Sequence, residues 1–228
     1  MSRDNDFKDL RTLERDLKPE YSLKRIITEA LAQAQYAKSW TDTHGVGGSA
    51  TARFKAGACD GFDVKYSYGD IGNLVHELTH IAAFRSYKRD FVGYRSDKVT
   101  ACRADYKWDG AAVYALNMGD RMAGWADPKW QSKFLDHLST LRAGVTTSGL
   151  PEAQKKQISE KISYAYSAYV DFEYETVLNQ ILTWLHLWGY PLTAAKGSAQ
   201  APQTAYWKEV NRLATEAFQR RQAATQLG

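Results

Sequence analysis

Apolar residues recur at helical spacing near the start of the chain. The apolar positions are Leu23, Ile26, Ile27, Ala30, Leu31 and Ala34. They lie one, three or four residues apart, which places them on one face of an α-helix, and Pro19 and Ser22 are suited to open that helix. After a charged start, the pattern therefore predicts a first amphipathic helix over about 20–38.

The period changes after the glycine-rich stretch 43–48. Polar and apolar residues alternate over 51–56 and again over 62–68, with the turn residues 59–61 between them. Alternation with a period of two is typical of β-strands, because successive side chains of a strand point to opposite faces. Two such segments joined by a short turn predict a hairpin.

A helix is predicted directly after the hairpin. Asp70 is a good N-cap for a helix from Ile71 to about Tyr87, and this segment is apolar nearly all round. Further helices are predicted at 111–122, 128–142, 151–188 and 204–222, the third of these as one long helix or as two joined by a bend. The elements together predict an α+β fold that is predominantly helical.

The helix after the hairpin carries His76, Glu77 and His80 as a His-Glu-x-x-His motif. Residues four apart on an α-helix differ by about 40° in direction and by about 6 Å in height, so both imidazoles can reach one ion. The Glu77 carboxylate projects beside them and can take a proton from a metal-bound water, which is the arrangement of zinc hydrolases. The helical and apolar setting favours a metal site over two ordinary core histidines.

Two other metal patterns are excluded by the sequence. A ferritin-like di-iron site needs a second Glu-x-x-His, and none of the remaining histidines has a glutamate three residues before it. The metzincin pattern needs a glycine and a third histidine shortly after His80, where the chain has Ala83 and Ser86.

Composition limits the classes of partner and compartment. The net charge is +4 with Lys and Arg spread along the chain, so nucleic acid is not an expected partner. The chain has only two cysteines, Cys59 and Cys102, so several disulfides cannot stabilise the fold, although one disulfide between these two is possible. No apolar run approaches the roughly 18 residues of a membrane span, and 1–18 lacks the apolar region of a signal peptide. We expect a cytoplasmic protein, or one exported by a bacterial secretion system that needs no signal peptide.

A catalytic zinc usually keeps three protein ligands and one water, so a third ligand is needed. Acidic residues occur inside the apolar segment 170–179, and acids rarely enter a core unpaired. Glu175 lies on the face that we expect to be buried, whereas Glu173 points about 200° away and is expected to be more solvated. Glu175 is the predicted ligand, with Glu173 next. The other histidines to consider are His44, His137 and His186.

With these residues the chain resembles the gluzincin branch of the zincin metallopeptidases, the thermolysin-like and neprilysin-like enzymes. In that branch the zinc-binding Glu is followed two residues on by an aliphatic residue and four residues on by an Asp that hydrogen-bonds a zinc histidine. Glu175, Val177 and Asn179 match these positions, with Asn in place of Asp. The resemblance implies a single zincin-like domain over 1–228, with a helical subdomain inserted at about 88–150 and a sheet edge that pairs with the substrate.

The expected function is that of a zinc metallopeptidase with one Zn²⁺ per chain, in which Glu77 activates a zinc-bound water. A Tyr or His would stabilise the oxyanion. The candidates are His186, Tyr164, Tyr166, Tyr169 and Tyr174. Two alternatives stay open, namely an inactive binding module on the zincin scaffold and a zinc hydrolase of a non-peptide amide or ester.

In its small size, the chain also resembles the metallopeptidase domains of secreted bacterial effectors and toxins. That resemblance implies a protein or peptide substrate, and an inhibitor or immunity protein as a further partner.

Overall fold

The fold combines helices with a small sheet in the computed structural model, which describes residues 1–55, 58–86, 128–168, 170–190, 193 and 195–226. The helices in these ranges are α1 (Arg3–Asp16), α2 (Ser22–Gln33), α3 (Ile71–Ser86), α4 (Pro128–Thr147), α5 (Glu152–Ala168), α6 (Val170–Leu187) and α7 (Ala201–Gln226). The strands are β1 (Ala37–Asp42), β2 (Ser49–Lys55) and β3 (Ala58–Tyr66). The predicted α+β class, predominantly helical, is confirmed. The predicted helix at 111–122, much of the inserted subdomain and Cys102 lie outside the described residues.

Helix α1 is an element that the hydrophobic pattern does not predict. Its apolar stripe is narrow, because Leu10 and Leu13 are buried between many charged positions. A buried carboxylate also fixes the helix: Asp6 accepts hydrogen bonds from the Tyr66 hydroxyl at 2.9 Å and from the Gly69 amide at 3.0 Å. This contact joins α1 to the end of β3, immediately before the helix that carries the motif.

The sheet has the strand order β1-β3-β2. Strand β2 runs antiparallel to β3, so the predicted hairpin is confirmed, but the turn predicted at 59–61 is wrong, because these residues belong to β3, which pairs with β2. Strand β1 runs parallel to β3, and it differs from the prediction of a helix to residue 38. Helix α2 ends at Gln33, and a 3₁₀ turn over Ala34–Tyr36 leads into β1. The strand takes its backbone partners from β3, far along the chain, which local periodicity does not record.

Helix α3 begins as predicted. The Asp70 side chain accepts a hydrogen bond from the backbone amide of Asn73 at 3.0 Å, which satisfies an otherwise unpaired donor of the first turn. The Trp184 indole donates to the same Asp70 oxygen at 2.8 Å, so the cap also ties α3 to α6. Residues 71–83 of the helix are all buried, with Leu74 and Leu78 completely inaccessible. The polar side chains of this part of α3 are therefore largely removed from bulk water.

Helix α6 is central among the helices and packs against α3, α4, α5 and α7. The predicted helical stretch 151–188 is helical in α5 and in α6, on either side of residue 169. Helix α7 extends beyond both predicted ends. None of the described helices combines the length and apolar character needed to span a membrane.

Candidate metal centre

Two imidazoles face each other on α3. The Nε2 atoms of His76 and His80 lie 3.1 Å apart, and their ring centroids are separated by 4.8 Å. Both side chains are buried. The helical spacing that the motif requires is present, and both Nε2 atoms are directed to one point.

Glu173 of α6 completes this group. Its Oε2 lies 3.1 Å from His76 Nε2, and its Oε1 lies 3.5 Å from His80 Nε2. In a tetrahedral site with zinc–ligand bonds of about 2.0–2.1 Å, neighbouring ligand atoms are about 3.3 Å apart. Two nitrogens and one carboxylate therefore meet at the separation that zinc needs, and their ligand atoms all lie within 4.8 Å of one another.

Glu77 lies beside this group with one oxygen available. Its Oε1 accepts a hydrogen bond from the side-chain Nδ2 of Asn73 at 3.4 Å, which is long for a hydrogen bond. Its Oε2 is buried and has no hydrogen-bond partner within the described part of the chain. An oxygen of this kind is costly to bury unless a further group pairs with it, and a water on a nearby cation would do so. The donor set and this orphaned oxygen together fit a hydrolytic metal centre.

Burial and charge act in opposite directions on the titration of the centre. Burial raises the pKa of Glu77, only partly offset by the nearby histidines. Burial alone would lower the pKa of His80, but the Glu173 carboxylate outweighs it and raises that pKa. Burial alone would raise the pKa of Glu173, but His80 and His76 lower it well below the ordinary range. The site is thus built around an ionised Glu173 that stabilises positive charge.

The structure does not bring Glu175, the predicted third ligand, to the histidines. Arg221 Nε donates to both Glu175 oxygens, at 3.0 and 2.9 Å. Arg221 also donates to Glu29 of α2. Glu175 is therefore engaged on the opposite side of α6, and we correct the third candidate ligand to Glu173.

Glu173 is buried because α6 is covered on several sides. The periodicity of 170–179 predicts a single buried face that carries Glu175, with Glu173 more solvated. Glu173 is 4% exposed and Glu175 is 8% exposed. Both acids are buried and both are paired, so amphipathicity does not separate them. Only the positions of α3 and α7 decide which acid meets the histidines.

The second part of the gluzincin pattern changes with this correction. Asn179 Nδ2 donates to the Thr79 hydroxyl at 3.2 Å and does not contact a histidine of the motif. Among the described residues, His76 Nδ1 has no hydrogen-bond partner. Counted from Glu173, the aliphatic and Asp positions are occupied by Glu175 and Val177. The motif on α3 carries the resemblance, and the segment on α6 does not.

The three remaining histidine candidates lie apart from the centre. His44 is exposed in the loop after β1, with its Nδ1 3.3 Å from Asp42. His137 Nδ1 pairs with the Tyr174 hydroxyl at 2.7 Å. His186 is half-buried near the end of α6, and burial lowers its pKa. None of them is part of the group that could hold an ion among the described residues.

A cleft of about 600 Å³ opens onto the centre. Strand β2 and the loop before it form one wall, and α5 contributes the other. The lining residues are Gly45, Gly47, Gly48, Ser49, Ala50, Thr51, His76, Glu77, His80, Glu160, Lys161, Tyr164 and Glu173. Strand β2 lies at the edge of the sheet as far as it is described. An edge strand beside a cleft offers free backbone groups to an extended chain.

Gly48 lies directly against the Glu77 carboxylate. A Cβ placed on Gly48 would fall 2.2 Å from Glu77 Oε1 and 2.9 Å from the Lys65 carbonyl oxygen. No residue with a side chain fits there unless both Glu77 and the backbone near Lys65 move. The sequence indicates the glycine-rich stretch only as a break between elements, but in the structure Gly48 of this stretch packs against Glu77, the proposed base.

Among the predicted oxyanion candidates, Tyr164 lines the cleft. Tyr174 is buried and bonded to His137, and the Tyr166 ring lies beneath Arg142 at 5.5 Å. Tyr169 lies outside the described residues. Gly48, Lys161 and Glu173 also line the cleft. Of these three residues, the sequence predicts a functional role only for Glu173.

Comparisons of this chain with protein-family models, with curated proteins and with solved structures give no match.

Proposed function

We propose that this protein is a zinc-dependent hydrolase that cleaves peptide bonds, with His76, His80 and Glu173 as the metal ligands and Glu77 as the general base. The observation that carries the proposal is the convergence of two buried Nε2 atoms and a buried carboxylate, 3.1–3.5 Å apart, beside an orphaned Glu77 oxygen. A structural core would also pair the Glu77 carboxylate fully, whereas Glu77 Oε2 is buried beside the cleft without a hydrogen-bond partner in the described part of the chain.

In the proposed reaction, a bound zinc ion would act as a Lewis acid, and residues of the chain would transfer the proton. A zinc ion bound here supplies Lewis acidity, which polarises a carbonyl and lowers the pKa of a water toward about 7. Glu77 Oε2 accepts the proton of the attacking water and then passes it to the departing amine. Asn73 holds the other Glu77 oxygen, and Gly48 limits its movement. Tyr164 is the donor that we assign to the developing oxyanion.

A peptide substrate is favoured over a small amide or ester by the shape of the site. The cleft runs beside β2, whose described free edge can pair with an extended chain through backbone hydrogen bonds. A small substrate would be favoured by a closed pocket. Origin as a secreted bacterial effector or toxin, with an immunity protein as a partner, remains part of this proposal on the strength of the sequence resemblance alone.

Replacement of Glu77 tests the proposal most simply. The Glu77→Gln protein should keep its zinc, because Glu77 is not a ligand, and should lose peptidase activity by a factor of about 10² or more, because the proton acceptor is gone. The measurement is cleavage of a mixed peptide library by wild type and variant with metal content determined on the same samples. Equal cleavage by both proteins would contradict the role of Glu77.

A further inference from the structure

We infer that Lys161 binds a carboxylate of the substrate, so that the cleft selects peptides carrying an acidic group close to the cleaved bond. The inference rests on the proposed peptidase function and names its substrate class. It concerns the wall of the cleft formed by α5, opposite the metal ligands of α3.

The first observation is the state of the Lys161 side chain. It lines the cleft together with Glu77 and His80, and it is only partly exposed. In the described part of the chain, no ion pair or hydrogen bond engages its ammonium group. Its neighbours on α5 differ: Lys155 pairs with Glu152 at 2.9 Å, and Lys156 lies 3.9 Å from Glu160. A partly buried cation without such a partner is ready to receive an anion.

The second observation is where this charge lies. Lys161 lines the same cleft as His76, Glu77 and His80, and it forms no ion pair with Glu77. It therefore lies in the cleft where the proposed bond is cleaved. An anion bound by Lys161 therefore belongs to the part of the substrate that lies in the cleft with the cleaved bond.

The third observation concerns the other charge on this wall. The Glu160 side chain also reaches the cleft, but it is 66% exposed and faces Lys156. It does not neutralise Lys161. The charge that α5 presents to a substrate near the catalytic groups is thus positive, and a carboxylate is its complement.

Two sources can supply this carboxylate in a peptide. One is the side chain of Asp or Glu within the chain, and the other is the free carboxyl group of the last residue. The chemistry at Lys161 is the same for both. Peptides with a free or an amidated C-terminus, each with and without an acidic residue, separate an endopeptidase with acidic preference from a carboxypeptidase.

The experiment compares zinc-loaded wild type with Lys161→Met, Lys161→Arg and Lys161→Glu on these four peptide classes. Wild type should prefer peptides with the carboxylate. Lys161→Met should lower kcat/KM for them by about 10- to 100-fold, the size of a lost charge-assisted hydrogen bond, and should lower it less for neutral peptides, so that the preference for a carboxylate is lost. Lys161→Arg should retain the preference, and Lys161→Glu should shift it to basic peptides.

Lys156→Met is the matched control, because Lys156 lies on the same helix with its side chain 78% exposed, outside the cleft lining. It should behave like wild type. Cleavage by wild type without any preference for a carboxylate would overturn the inference while leaving the peptidase proposal intact, and this result needs no folded variant. If wild type cleaves no peptide of any class, the proposed function fails and the inference fails with it.

Discussion

Arg221 donates from Nε to both carboxylate oxygens of Glu175, at 3.0 and 2.9 Å, and its side chain is completely buried. The same guanidinium also binds Glu29, so one cation joins α7, α6 and α2. Glu175 is only two residues from Glu173 but is held on another side of α6. The ion pair thereby fixes the rotation of α6 that turns Glu173 toward the histidines.

Removal of this guanidinium should destabilise the protein strongly. Arg221→Met leaves the buried Glu175 and the partly buried Glu29 without their cation, and breaking a buried pair in this way costs roughly 3–5 kcal/mol. The free energy of unfolding, measured by urea denaturation, checks this value.

Arg212→Ala is the control for Arg221, because Arg212 lies on the same helix but pairs with Glu209 and Glu216 at the surface. Its loss should change stability by less than about 1 kcal/mol. Equal effects of the two substitutions would show that the buried network does not hold α7 to α6.

Gly48 should be required for activity and not for metal binding. A Cβ at this position overlaps Glu77 Oε1, so Gly48→Ala must displace the carboxylate from its place beside the ligands. We expect at least about a tenfold loss of kcat/KM, because a general base displaced by about 1 Å no longer reaches its proton. Zinc content should stay at the wild-type level.

Gly144→Ala provides the comparison for Gly48. The added Cβ would lie 3.5 Å from the Tyr206 ring, an ordinary contact, and Gly144 is within α4. That substitution should leave activity unchanged and stabilise the helix slightly. Full activity of Gly48→Ala would refute the proposed arrangement of Glu77.

Zinc should raise the thermal stability of the metal-depleted protein. An ion that binds only the folded state adds RT ln(1 + [L]/Kd), about 4 kcal/mol at a thousandfold excess over Kd. Mg²⁺ should have little effect, because it prefers six oxygen ligands to two imidazoles and one carboxylate. Unfolding midpoints with and without each ion provide the measurement. Equal shifts with both ions, or a zinc shift that persists in His80→Ala, would contradict binding at this centre.

The sequence predicts α3 and its three motif residues well because their relationship is local. His76 and His80 are related by one helical turn, and Asp70 caps that turn from the side chain just before it. Nothing outside residues 70–86 is needed to direct the two imidazoles to one point. The hairpin of β2 and β3 is predicted for the same reason.

The third ligand depends on contacts that periodicity does not contain. Glu173 and Glu175 are equivalent in a helix that is buried on several sides, and Arg221, which selects between them, is 46 residues from Glu175. Strand β1 escapes prediction similarly, because it forms by pairing with β3. Lys161 enters the cleft through the packing of α5, so its sequence context resembles that of any surface lysine.

Substitution of the third ligand tests most directly whether an ion is held by His76, His80 and Glu173. Wild type, Glu173→Gln and Glu175→Gln should be dialysed against a weak chelator and analysed for zinc. We expect about one zinc per chain in wild type and in Glu175→Gln, and a large loss in Glu173→Gln, whose amide is a poor zinc ligand. Absence of zinc from wild type, or its retention in Glu173→Gln with loss in Glu175→Gln, would contradict this expectation.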